Sequence, residues 1–163
     1  MVYKEFRNAA HRHLVSCQKM CGLLSEINNK NDRRDMIADI YYLSGYVIET
    51  LLSYAIFSVA SRDIQRKPIE EHPQYEEGFK THNYQAKIDF AIKHNCNFDG
   101  MSLISKRHHN KDICRMYNGW QVEMRYQHPS KFANVPSDIS AELITAYVSE
   151  LSKLESEFNR RFV

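Results

Sequence analysis

The segment from Asp35 to about Ala60 contains no proline and one glycine, and it is apolar at nearly every helical position. Met36, Ile37, Ile40, Leu43, Val47, Leu51, Ala55 and Val59 recur at three- and four-residue steps, the spacing of one helix face. Tyr42, Tyr46, Glu49 and Ser53 form a second stripe, also at helical spacing. A helix that is apolar nearly all round is unstable on a surface, so this one is predicted to run through the centre of a bundle. Gly45 costs such a helix about 1 kcal/mol relative to alanine. A neighbour that must approach the backbone there would explain its presence. The most apolar part, Val47 to Ala60, is too short to cross a bilayer and is interrupted by Glu49. With a polar, amphipathic beginning and no signal peptide, the sequence reads as a soluble, cytoplasmic protein.

The rest of the chain follows the same period. Tyr3 to about Ile27 reads as a first helix, with Phe6, Ala10, Leu14, Cys17, Cys21 and Leu24 on one face. Asn28 to Arg34 is a polar break, and Ser61 to Lys80, with Pro68 and Pro73, is expected to be a long exposed loop. Thr81 to about His94 reads as a third helix, Asn95 to Asn110 as a second loop, and Asp112 to Tyr126 as a fourth helix stopping before Pro129. After a turn at Phe132 to Pro136, Ser137 is expected to cap a final helix reaching about Phe162. No segment alternates as a strand does. The expectation is an all-α, up-and-down bundle of about five helices, one domain over residues 1–163. A chain of 163 residues, 43% hydrophobic and 26% charged, is long and apolar enough for one core. Its formal charge of +2 neither demands nor excludes nucleic acid. The four cysteines form no CxxC and read as free thiols.

A carboxylate in so apolar a helix needs a partner, and Arg125 or a tyrosine hydroxyl is the expected one for Glu49. Lys106, Arg107, His108, His109 and Lys111 form a basic run suited to phosphate contacts. There is no glycine-rich phosphate loop and no Gly-x-Ser-x-Gly. The spacing of His94, Cys96, His108, His109 and Cys114 matches no zinc pattern, so neither cofactor nor metal is expected.

Three segments in series carry a resemblance. Tyr41-Tyr42-Leu43-Ser44-Gly45-Tyr46-Val47-Ile48-Glu49-Thr50-Leu51-Leu52 resembles the signature helix of HEPN-domain proteins. Thr81-His82-Asn83 is similar to that family's opening of its third helix, and Trp120-Gln121-Val122-Glu123-Met124-Arg125-Tyr126 to its Trp-x-Val-Glu-x-Arg-Tyr segment. The resemblance implies a four- to five-helix bundle, commonly a homodimer, often encoded in toxin–antitoxin or antiviral defence systems. Many such proteins are metal-independent ribonucleases in which Arg and His of two protomers act on RNA; others are catalytically silent modules that dimerise or bind a partner such as a cognate antitoxin. The lysine usual four residues after the glutamate is Ser53 here.

The Arg–His spacing of the ribonuclease members occurs at Arg7–His13 and Arg66–His72, neither at the family's late position. Arg125 and His128 lie late but are separated by only two residues. Metal-free RNA cleavage needs a group to deprotonate the 2′-hydroxyl and a cation on the phosphate. The expected catalytic pair is Arg125 and His128 at a two-fold interface, with the Lys106–Lys111 run as the binding loop. Tyr42, Glu49, His82 and Tyr126 are expected to shape the pocket.

Overall fold

The structure, a computed structural model, describes residues 2–60, 62–127, 131 and 139–162; His128, Pro129, the Phe132–Pro136 turn and Ser137 lie outside them. Among the described residues the chain is all-helical, a bundle with no strand. Its α-helices are α1 (Tyr3–Leu23), α2 (Lys30–Ser58), α3 (Arg62–Arg66), α4 (Tyr75–Gly78), α5 (Tyr84–Lys93), α6 (Lys111–Gly119) and α7 (Ala141–Arg161).

Short polar side chains set where the long helices begin. Asn29 accepts from the Asn31 and Asp32 amides, Asn83 from Ala86, Asn110 from Asp112 and Ile113, and Ser140 from Leu143. Each satisfies amides that the first turn leaves without partners. The Asn29 cap makes the expected break at 28–34 shorter: α2 starts at Lys30, its first turn exposed and charged. At the other end of the chain, α7 starts at Ala141 behind Ser140, later than the sequence suggested.

α2 is the centre of the molecule. From Ser44 to Phe57 nearly every residue is buried, with Val47, Ile48, Leu51, Leu52, Ala55 and Phe57 fully so. At 29 residues α2 is longer than expected. In length and composition it could cross a membrane, although 72% of its most apolar window is covered by the rest of the fold. α1 packs along it antiparallel: Tyr3 stacks on Tyr54, Phe6 lies against Phe57, His13 against Tyr46, and the Cys17 thiol donates to the Ile40 carbonyl. α7 runs the other way, with Tyr147 beside Tyr41 and the Phe162 carbonyl accepting from the Tyr54 hydroxyl. The alternation of an up-and-down bundle is thus confined to α1 and α2, since α7 runs in the same direction as α2.

Two expectations fail locally. Residues 62–80 are not an exposed loop. α3, a 3₁₀ turn at Ile69–Glu71 and α4 fold back on the core, burying Ile69 and Phe79. Segments of three to five residues carry no readable period. The expected helix Asp112–Tyr126 is broken: α6 ends at Gly119, Trp120 and Gln121 are extended, and Val122–Tyr126 is 3₁₀. That break turns the Trp120 side chain onto α2.

Candidate functional site

Trp120 sits against the backbone of Gly45. A Cβ at position 45 would fall 1.9 Å from the indole Cε2, so only glycine admits this contact. The indole Nε1 donates to the Tyr42 carbonyl at 2.9 Å, and the Tyr84 hydroxyl donates to the Gly45 carbonyl at 2.8 Å. Tyr84 and Trp120 are stacked, with ring centroids 5.1 Å apart and planes 3° from parallel. The neighbour expected at Gly45 is therefore Trp120, and the three segments that carry the family resemblance meet at this point.

The meeting creates a cleft of about 580 Å³. Its floor is aromatic, from Tyr84, Tyr117 and Trp120, and its walls are polar, from His82, Gln85, Lys106, Asn118, Gln121 and Glu123. At its edge the His82 Nδ1 donates to Glu49 Oε2 at 2.9 Å. The Glu49 side chain is 13% exposed and that of His82 is 49% exposed. A carboxylate on Nδ1 fixes the tautomer and the ring orientation. It leaves Nε2 as the open nitrogen, with no partner among the described residues. This is the geometry of an oriented general base.

Glu49 thus has the partner its burial requires, but that partner is His82 and not Arg125. A cation supports it from below. Lys87 is fully buried, and its Nζ donates to Ser53 Oγ (3.0 Å), Gly78 O (3.2 Å) and Phe79 O (2.8 Å). Burial pulls the Lys87 ammonium down to about 8, against the field of Glu49, which raises it. An ammonium group therefore rests on Ser53 after all, delivered by α5. Sequence reasoning missed Lys87, although it shares a helical face with Tyr84, Ile88 and Ala91, all buried; a lysine on an apolar face is the signal that could have found it.

Beside the cleft lies a second aromatic group. The Tyr42 and Tyr46 hydroxyls are 2.6 Å apart, and both rings pack on Trp120. Burial, then the Tyr42 hydroxyl, raises the Tyr46 pKa and keeps it a neutral phenol; the Arg125 charge acts the other way. Arg125 itself is exposed, its guanidinium 4.5 Å above the ring of Tyr126, which is 77% exposed. In this segment Trp120 and Met124 are buried and Tyr126 is not.

The basic run does not act as one loop. Lys106 adopts a left-handed backbone conformation (φ 58°) and lines the cleft. Arg107, His109 and Lys111 are exposed, Lys111 as the first residue of α6. His108 points inward: its side chain is 2% exposed, Nδ1 accepts the Asn110 amide at 3.1 Å, and Nε2 donates to Glu150 at 3.3 Å. It is a buried tie between this segment and α7, not a phosphate contact. The Arg–His pairs read from the sequence also separate, Arg66 lining a cleft with Lys4 while His72 packs on Phe57 and Phe79. Among the described residues no three potential metal-ligating side chains converge. No protein-family model, no curated protein and no solved structure matches this chain.

Proposed function

We propose that this chain is a HEPN-like protein acting on RNA, and that its cleft cleaves the phosphodiester backbone without a metal. The observation that carries the reading is the Glu49–His82 pair on the edge of a polar, lysine-bearing cleft. His82 Nε2 takes the proton of a 2′-hydroxyl, and the freed oxygen attacks phosphorus. The bond to the 5′-oxygen breaks, that oxygen is protonated by water, and the products are a 2′,3′-cyclic phosphate and a 5′-hydroxyl. Lys106, which lines the cleft, is the cation that offsets the charge gathering on the phosphate; Arg125 stands outside the lining, over Tyr126. The homodimer implied by the resemblance would set two such clefts about one two-fold axis.

The test is incubation of purified protein with RNA in the presence of a chelator. The parent is expected to cleave and to leave cyclic phosphate ends. His82→Ala, checked for retained fold, is expected to lose roughly 10²- to 10⁴-fold in rate, the usual worth of a positioned acid–base group. His128→Ala decides whether the imidazole read from the sequence beside Arg125 takes part. Undiminished cleavage by His82→Ala moves the chemistry out of the cleft. No cleavage by the parent leaves the alternative, a catalytically silent module that dimerises or binds a partner.

A further inference from the structure

A second charged cleft lies at the far end of α2. It has a volume of about 420 Å³ and is lined by Val2, Tyr3, Lys4, Arg62, Gln65 and Arg66, three cations with no carboxylate among them. The cleft is held in shape by Gln65, whose amide donates to the Phe57 and Ser58 carbonyls at 3.3 and 2.9 Å. That contact docks α3 on the end of α2 and fixes where its two arginines stand. On the facing side Tyr3 is stacked on Tyr54 at 6.1 Å, with planes 7° apart, which fixes the first turn of α1 and Lys4 with it. Gly45 to Ser58 is 13 steps along α2, so this cleft is about 20 Å from the Trp120 seat at 1.5 Å per residue. It shares no residue with the first cleft.

No carboxylate lies among the residues that line this cleft. Arg34, Lys80, Arg115, Lys153 and Arg160 each lie within 3.5 Å of an aspartate or glutamate. Lys4, Arg62 and Arg66 have no such partner among the described residues. The nearest carboxylates in sequence do not enter the cleft: Glu5 accepts the Val2 amide at the start of α1, and Asp63 is exposed on α3. Three unpaired cations facing one concave space repel each other and are eased by an anion. Arg62 and Arg66 are one helical turn apart, about 6 Å between Cβ atoms, so their guanidinium groups can face one ligand together. A chain of linked phosphates spans that distance, and arginine forks suit phosphate oxygens.

We propose that this cleft binds a phosphate chain of two or more units, carried by a nucleotide or free as polyphosphate. Arg62 and Arg66 hold adjacent phosphates, Lys4 closes on them from α1, and Tyr3 offers a ring edge for a base. The site stands independently of the RNA reading, since none of its residues belongs to the first cleft.

Titration calorimetry on the whole chain at low salt tests this, with pyrophosphate, ATP and adenosine as probes. Pyrophosphate and ATP are expected to bind saturably, adenosine not at all, and affinity is expected to fall as salt is added. The Arg62→Ala/Arg66→Ala double variant and Lys4→Ala alter only exposed side chains. The double variant is expected to bind at least about tenfold more weakly, the loss of a charge-assisted contact of about 1.4 kcal/mol or more. ATP binding tighter than pyrophosphate assigns the ligand to nucleotides; equal binding assigns it to the phosphate chain alone. Failure of the parent to bind either phosphate probe, or undiminished binding by the double variant, overturns the proposal.

Discussion

Glu49–His82 and His108–Glu150 are the same two functional groups in two regions, and they differ in what their second ring nitrogen does. At the cleft, the His82 ring is half exposed and spends only Nδ1 on its carboxylate. At the seam with α7, His108 is buried and both nitrogens are engaged, one by the Asn110 amide and one by Glu150. Glu150 is also held by Lys153 at 2.6 Å. Burial alone would raise the Glu150 pKa, but Lys153 and His108 together outweigh it and hold the carboxylate below its usual range. A closed pair of this kind adds stability and has no group left for chemistry. An open one has given up part of that stability and kept a nitrogen free.

Removing the floor under the open pair is expected to have the largest effect. Trp120→Ala deletes a buried indole and its hydrogen bond to Tyr42 O. It is expected to cost about 3–5 kcal/mol by urea denaturation. Hydrogen exchange should rise around α5 and the cleft, while the seam at His108 keeps its protection. Equal loss of protection in both regions would mean that they are not separable units. The next effect is smaller and runs the other way. His108→Ala leaves the Asn110 amide without its acceptor and is expected to cost about 1–3 kcal/mol. It should leave RNA cleavage unchanged per folded molecule, whereas Glu49→Gln, which keeps an acceptor for His82, should slow cleavage with little change in stability.

The smallest effect comes from imidazoles in neither kind of pair. The His72 and His13 pKa values are both lowered, chiefly by burial, with His94 adding to the first and Arg12 to the second. In the folded state they resist protonation, while the unfolded chain takes up protons at the ordinary value of 6.5. The stability they contribute is complete above that value and is lost as pH falls through their lowered folded values. Both rings are partly exposed, so the effect is screened. Between pH 7 and pH 5 a fall in Tm of roughly 1–3 °C is expected. His72→Phe keeps the packing on Phe57 and Phe79 and should flatten that slope. An unchanged slope would place the titration elsewhere.

What the sequence made legible follows from the physics of each signal. The apolar faces of α1 and α7 and the central place of α2 were readable because their period persists over 21 or more residues. Gly45 was readable as a close approach because glycine in a buried helix has few other reasons to be there. The partner of Glu49 was misassigned because the charge rule asks only for a cation and cannot rank Arg125 above His82. The break at Trp120 was missed although Asn118-Gly119 stands immediately before it, a helix-stopping pair outweighed in the reading by the absence of proline before Pro129. His108 looked like its exposed neighbours because burial of one residue in a basic run depends on where α7 passes.

The seat of Trp120 on Gly45 also has a consequence in time. Its hydrogen bond joins residues 78 positions apart in the chain, so the contact closes a long loop and forms only after the α1–α2 hairpin has local contacts of its own. The cleft has no floor until that closure happens, because Tyr84, Tyr117 and Trp120 come together there. A nascent or partly unfolded chain therefore carries the helices without the site. Whatever this cleft does begins only once that contact has closed.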